Sequence, residues 1–487
     1  MLLSLAMIVR DEEEMLPGCL TSVQTAVDEI VIVDTGSSDR SVEIAEGFGA
    51  RVLHTPWRGD FSAARNLGLA AVKGRWILVM DADERFEGDP GRLRRQLAKT
   101  RAVAMEVPIR NEIGDGRLDV HSALRLFRHL PGVRFERRLH EQIFPSLMSV
   151  TNGGRIDKAP FSLLHLGYHA SVVERKGKRA RNLELAQQEV AAQPFDPFAA
   201  FNLGIEYTAQ GDPESGIAEF RRARALTGSP QPWQSRLYKT EAQSLYHLNR
   251  FDEALEVIGE ALSFFPEYTD LYFLRGVALD AVGDTAGAEA ALRKCLHLGP
   301  ARTPPYDGVD PLLGGGGAAT ALGGLLMREG RLAEALQLLR SATLEAPGFM
   351  PAVQALVDCS LLAGDGVEAL LAEQPPDPLE VGAALFRAKR YDLALQAFTA
   401  GEQQHPDLPP DHFLAKAVAA LRAGDPEAAA EAVAQAGQGA LASPRAYVVD
   451  LVQYARGSVE RGELAERYAP EHAIWRDIPS DGDNAEI

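Results

Sequence analysis

Cysteine is scarce. Among 487 residues only Cys19, Cys295 and Cys359 occur, odd in number and far apart. That excludes a disulfide framework, offers no zinc-type spacing, and fits a reducing, cytoplasmic setting. Long apolar runs are also missing. The opening MLLSLAMIVRDEEE is too short to span a bilayer and lacks the basic start of a signal peptide. It reads as a buried strand, and no transmembrane segment is expected, although peripheral membrane association stays open. Positive charge is in deficit, with a formal net charge of −18. Residues 1–180 hold 26 Lys/Arg against 24 Asp/Glu, a net of +2, whereas the remainder holds 24 against 44, a net of −20. Such an acidic region repels phosphate backbones, so no nucleic-acid partner is expected. Its plainest use is solubility.

At this length two or more domains are required, and two textures are visible. From residue 1 to about 168, short apolar runs alternate with amphipathic stretches. LLSLAMIV (2–9), EIVIVD (29–34), ARVLHT (50–55) and WILVMD (76–81) predict strands. EEMLPGCLTSVQTA and SVEIAEGF carry apolar residues near a 3.6 period and predict helices between them. The alternation predicts an α/β domain with a mostly parallel sheet and helices on both faces. Ligands of such sheets sit beyond the carboxyl ends of the strands, where Asp34, Asp81 and Asp83 fall.

From about residue 196 the texture becomes one of helix pairs. FNLGIEYTAQGDPESGIAEFRRARAL (201–226) has Leu203-Gly204, Tyr207, Phe220 and Ala223. A second copy has Ala242, Ala254, Ala261 and Pro266; a third has Gly276, Ala288, Cys295 and Pro300; a fourth has Gly323, Ala335, Ala342 and Pro347. Weaker copies centre on Ala369, Ala394 and Ala429. Ala242 to Gly276 is 34 residues, the tetratricopeptide period. Gly276 to Gly323 is 47, so an insertion of about 13 residues intervenes, ARTPPYDGVDPLLGGGG, a loop by composition. Small residues let paired helices approach while large ones fill the gap beside them, which predicts an all-α, tetratricopeptide-like solenoid. The expected organisation is a domain over 1–175, a linker helix over 176–195, repeats over 196–470 and a polar tail over 471–487.

Chemistry is concentrated in the first texture. WILVMDADERF (76–86) ends an apolar strand in Asp81-Ala82-Asp83. Paired carboxylates there suit Mg²⁺ or Mn²⁺ bridging a diphosphate, as the leaving group of a nucleotide-sugar requires. An acidic turn after a strand is the bland alternative. EIVIVDTGSSDRSVEIA (29–45) ends a strand at Asp34, which could accept hydrogen bonds from a base or ribose, and Asp39 is expected to cap the next helix. In DFSAARNLGLAAVKGRWILVMDAD (60–83), Arg65 lies on the preceding helix, where a guanidinium could face a phosphate. The basic run ERKGKRARN (174–182) could clamp phosphates or be the solvated start of the linker helix.

SLAMIVRDEE (4–13), EIVIVDTGSSDRS, FSAARNLGL and VMDADE occur in this order within about 85 residues, and together they resemble the family 2 glycosyltransferases of GT-A fold. The particular wording resembles a subgroup with SunS-type S-glycosyltransferases and WaaE-type lipopolysaccharide core glucosyltransferases. The resemblance implies inverting transfer of a hexose from a nucleotide diphosphate sugar, expected to be a UDP-sugar. Arg10, Asp34, Arg65, Asp81 and Asp83 would bind the donor. Asp81 and Asp83 would hold the metal, which a late histidine often completes; His165 is the candidate, with a satisfied core histidine as the alternative. The family's V-D-D-G-S has Thr35 in place of its second acid. An inverting enzyme needs a carboxylate base. Glu141 is the choice, with Asp115, Asp119 and Asp157 as rivals. The repeats would hold a peptide or protein acceptor. A cell-envelope glycan acceptor and a non-catalytic scaffold are the alternatives. A nucleotidyltransferase is disfavoured because MIVRDEEEM has no glycine-rich loop.

Overall fold

The computed structural model describes all residues except 113–117, 167–177, 229–230, 232, 303–305, 365–369, 372–375, 406–407, 409 and 437–487. It falls into two compact units, residues 1–318 and residues 319 onward.

The first unit begins with β1 (Leu3–Val9), α1 (Leu16–Val23), β2 (Glu29–Asp34), α2 (Ser41–Gly47), β3 (Arg51–His54), α3 (Phe61–Ala71) and β4 (Trp76–Val79). β5 (Glu84–Gly88), α4 (Pro90–Lys99), β6 (Ala104–Glu112), β7 (Leu118–Arg128), α5 (Phe144–Thr151), β8 (Ile156–Lys158) and β9 (Phe161–His165) follow. The sheet order is β3-β2-β1-β4-β7-β6-β9-β5, with β8 beside β6. β3, β2, β1 and β4 pair in parallel, as the alternation of strands and helices predicts. Strand periodicity divides their apolar residues between two cores. Leu3, Leu5, Met7, Ile30, Ile32, Trp76 and Leu78 meet Leu16, Leu20 and Leu93 of α1 and α4 on one face. Ala6, Val31, Ile77 and Val79 meet Leu69 of α3 and Leu147 of α5 on the other. The other half of the sheet is mixed: β7 runs antiparallel to β4 and β6, and β9 lies antiparallel to β5 but parallel to β6.

Helices follow from Lys178–Ala192 onward. The first hairpin is Pro197–Ala209 and Pro213–Leu226, each opened by proline after an aspartate cap, Asp196 and Asp212. The repeat spacing has a direct steric basis. A Cβ on Gly204 would lie 2.5 Å from Phe220, on Gly276 2.6 Å from Leu292, on Gly323 2.6 Å from Leu339, and on Gly382 2.5 Å from Phe398. Each large residue follows its glycine by 16 positions, so the same close helix approach recurs through the array. Ala394 and Ala429 are buried in later helices of the second unit; the copy centred on Ala369 lies outside the described residues.

In the first unit the sheet and the early repeats share contacts. Leu139 packs with Leu185, Ala186 and Leu203. The insertion ahead of the fourth repeat is anchored by its backbone. Val120 of β7 and Val309 exchange two hydrogen bonds, 2.7 and 2.8 Å. Tyr268 donates to the carbonyl of Gly308 at 3.0 Å, and buried Lys239 pairs with Asp270 at 3.0 Å while donating to the same carbonyl. What composition predicts as a loop is thus tied to a strand edge. No helix among the described residues is long and apolar enough to cross a membrane.

Candidate active site

β4 is buried throughout and ends against Met80, so the next residues emerge at the edge of the core. Asp81 does not stand open there. Arg65 of α3 donates to its Oδ1 at 2.8 Å, and Arg125 of β7 donates to its Oδ2 at 3.0 Å. Arg65 is 7% exposed and also pairs through Nε with Glu141. Burial works against the charge on Arg65, but Asp81 and Glu141 outweigh it and raise its pKa. Burial likewise opposes the charge on Asp81, yet Arg65 and Arg125 hold its carboxyl far below the usual range. Glu84, 1% exposed, accepts from the Asp81 amide at 2.8 Å and from Arg125 at 3.1 Å. Burial pushes its pKa up to about 7 against the pull of Arg125.

Asp83 faces His165, with Nε2 to Oδ2 at 3.4 Å. Sheet register makes this contact. His165 ends β9, opposite Glu84 of β5 on one side and Asn111 of β6 on the other. Asn111 Oδ1 meets His165 Nδ1 at 2.8 Å, and its amide nitrogen meets His121 Nδ1 at 3.1 Å. The Asn111 carbonyl oxygen can only accept, so Nδ1 carries the hydrogen and Nε2 is turned toward Asp83. Burial opposes charge on His165, but the hydrogen bond and charge of Asp83 raise its pKa.

Glu141 sits on a short loop closed by a Glu136–Gln142 bridge. Two residues beside it, Arg137 (φ +82°) and His140 (φ +52°), hold left-handed backbone, which costs a non-glycine residue of order 1 kcal/mol and needs outside support. The early repeat helices supply it. Arg137 pairs with Glu189 and Asp196, Glu189 accepts from the Arg138 amide at 3.2 Å, and His140 meets Glu206 at 3.2 Å.

Arg10, Arg65, Asp81, Asp83, Glu141 and His165 all line one cavity of about 1280 Å³ in the first unit. The early repeats add Phe198, Phe201 and Trp233 to its lining, and the insertion ahead of the fourth repeat adds Tyr306. Asp34 lies off this lining, unlike the neighbouring Thr35. Its carboxylate accepts from the amides of Gly36 and Ser37, at 3.3 and 3.0 Å, and meets His54 at 3.2 Å, so it shapes the turn after β2. Asp39 accepts from Ser41 and from the Glu13 amide. Of the rival bases, Asp157 is engaged by Thr100 and Arg155; Asp115 and the side chain of Asp119 lie outside the described residues.

Among the described residues no three or more His, Cys, Asp or Glu side chains gather as a metal cage. The expected ligand Asp81 is engaged by two guanidiniums. Asp83 and His165 still make an oxygen–nitrogen pair that fits Mg²⁺ or Mn²⁺, because such ions take few protein ligands when phosphates complete the shell. Asn111 on the remote nitrogen is the outer partner that ligating histidines carry. Arg125, Glu84 and Asn111 are the residues that sequence reasoning passes over. Glu84 lies within the quoted VMDADE, and Arg125 stands out as a charge inside the apolar strand ALRLF.

Parts of the chain are similar to known proteins. Residues 4–152 match the family model of glycosyl transferase family 2, and residues 239–303 match that of a tetratricopeptide repeat. A TPR repeat-containing protein of Synechococcus elongatus is 38% identical over 250 residues, 50% of this chain and 60% of that protein. The SPbeta prophage-derived glycosyltransferase SunS of Bacillus subtilis is 24% identical over 220 residues, 44% of this chain and 51% of SunS. A glycosyltransferase of Rickettsia bellii is 35% identical over 82 residues, 17% of this chain and 28% of that protein. The matches therefore cover no more than three fifths of these relatives' lengths.

Proposed function

We propose, from the premise that this chain joins a family 2 glycosyltransferase domain to tetratricopeptide repeats, that its cavity transfers a hexose from a nucleotide diphosphate sugar to an acceptor. The observation that carries the reading is the pairing at the end of β4, Asp81 with Arg65 and Asp83 with His165, on one cavity wall. A family 2 enzyme must bind a diphosphate and a nucleophile at one such place.

In this reading Asp83 and His165 hold Mg²⁺ or Mn²⁺, with Asn111 fixing the histidine ring. The bound cation would neutralise charge developing on the leaving diphosphate. Asp81 has a different task. Locked between Arg65 and Arg125, it keeps both guanidiniums in place, and Glu84 fixes its backbone. Glu141, oriented by Arg65, takes the proton from the acceptor nucleophile as that atom bonds to C1 of the sugar. The bond from C1 to the diphosphate oxygen breaks, the nucleoside diphosphate leaves, and the configuration at C1 inverts. Positioning and charge supply most of the acceleration. The acceptor enters along the aromatic wall of the early repeats, and a peptide or protein is the first choice because repeat surfaces suit extended chains.

The test is release of nucleoside diphosphate from a panel of nucleotide sugars with Mn²⁺ and with EDTA. Metal-dependent release from one donor, lost in Asp83→Ala while the fold persists, is expected. Unchanged release in Asp83→Ala would refute the metal assignment. No release together with no donor binding by calorimetry would favour a non-catalytic scaffold.

A further inference from the structure

The arginines on the cavity wall are not equivalent. Arg65 meets Asp81 and Glu141, Arg125 meets Asp81 and Glu84, and Arg137 meets Glu189 and Asp196. Arg181, near the start of the Lys178–Ala192 helix, has no carboxylate within ion-pair distance among the described residues. Its recorded hydrogen bond is to the neighbouring Asn182, at 3.3 Å. Its Nε is buried without a partner. The guanidinium is held over two rings, 5.4 Å from the centre of Phe61 and 5.9 Å from that of Trp57, which pack edge to face 4.6 Å apart. Phe61, Trp57, Arg181 and Arg10 all line the cavity. Arg10 follows β1 and has a single ion pair among the described residues, to adjacent Asp11 at 3.8 Å.

These two arginines thus line the cavity without the paired carboxylates that hold Arg65, Arg125 and Arg137. Burial lowers the pKa of Arg181, and the like charge of Arg10 lowers it further. Glu206 pulls the other way, but its carboxylate is already bonded to His140. A guanidinium packed against two aromatic rings has lost side-chain freedom in advance, so a ligand need not order it. An anion between Arg10 and Arg181 would relieve their repulsion.

We propose that Arg181 and Arg10 form a binding site for a phosphate-bearing ligand in the cavity, with Arg181 supplied by the first helix after the transferase sheet. The donor diphosphate is the favoured occupant because Arg10 leaves the carboxyl end of β1, beside β4 and Asp83. This choice of occupant rests on the proposed transfer reaction; the anion site itself does not. The helix that opens the repeat array would then be part of the substrate site, and would couple donor binding to the repeats.

The test is calorimetry of the full chain with inorganic pyrophosphate and with UDP, each with Mn²⁺, in wild type, Arg181→Gln and Arg181→Lys. Loss of a charge-assisted hydrogen bond should weaken pyrophosphate roughly 10- to 100-fold in Arg181→Gln, with part recovered in Arg181→Lys. Hydrogen exchange at the amides of α3, which carries Phe61, checks that the cavity wall is intact. An equal fall in UDP affinity assigns the site to the donor. Unchanged UDP affinity beside lost pyrophosphate binding assigns it to an anionic acceptor. Pyrophosphate binding that is absent in wild type, or unaffected in Arg181→Gln, overturns the proposal. Turnover and binding of nucleotide sugars are read separately, so Arg181-dependent pyrophosphate binding with neither turnover nor binding of any donor would refute the transfer reading and leave the anion site standing.

Discussion

Replacing Arg65 with methionine tests the buried charge bridge directly. Arg65→Met keeps an unbranched apolar stem beside Phe135, whose ring centre lies 5.6 Å from the guanidinium, and removes the charge. Glu141, with a side chain 14% exposed, then loses its cation, while Asp81, 34% exposed, keeps Arg125. Breaking one side of a buried pair costs about 3–5 kcal/mol. Because Asp81 retains a partner and some solvent, the lower end applies, about 3 kcal/mol. That is a large share of the roughly 5–15 kcal/mol of a folded domain but leaves it folded. The loss should depend on pH with a definite sign. In wild type the carboxyl of Asp81 is held far below its usual value. Its stabilisation is therefore present above the ordinary carboxylate pKa, near 4, and fades as pH falls below it. The penalty of the variant should therefore hold from pH 7.5 down to about 4 and shrink below it. Hydrogen exchange of β1 and β4 amides reads the opening free energy of this sheet without assuming that the whole chain unfolds in one step. A loss under about 1 kcal/mol at pH 7.5, or one that persists unchanged well below about pH 4, would refute the argument that Arg65 holds two half-buried carboxylates.

The repeats make two further predictions. Gly276→Ala places a methyl 2.6 Å from Leu292, itself 2% exposed, and should lower repeat stability by about 1–3 kcal/mol; Gly259→Ala, in a helix with nothing within 4 Å, should raise it by up to about 1 kcal/mol, both read by thermal melting. Burial raises the pKa of Glu241 to about 7 despite Arg224 and Arg221. Its ionisation therefore costs stability that is absent below about 4.5, accumulates toward pH 7 and is complete above it. The helices around it should be more protected at pH 5 than at pH 8, and Glu241→Gln should flatten that difference.

The first half of the sheet was legible because parallel strands covered on both faces read as uninterrupted apolar runs, and EIVIVD and WILV are such runs. The helix pairs were legible because small residues and a closing proline recur at fixed spacing, 34 residues from Ala242 to Gly276, whereas the large residue 16 positions after each glycine emerges only from the packing. The contacts of Asp81 with Arg125 and of His165 with Asn111 were not legible, and His165 was set beside Asp83 by family resemblance alone. They arise from register between β4, β5, β6, β7 and β9, strands that pair over long sequence distances and carry mixed residues. Asn111 gives no signal until β6 and β9 are laid side by side. The insertion around Val309 was legible as an irregular segment, but its attachment is to Val120, 189 residues earlier, and no local pattern encodes that.

The Val120–Val309 pairing also sets a timetable. During synthesis at about 5–20 residues per second, the 168 residues from Glu141 to Val309 take roughly 8–34 s to emerge. For that interval Val309 is not there to pair with the edge of β7 at Val120, and for its first 65 residues the Glu141 loop also waits for Glu189, Asp196 and Glu206. An open edge is a template for any passing strand. Nascent chains that stall before residue 309 should therefore aggregate or call on chaperones, whereas chains that pass it should not.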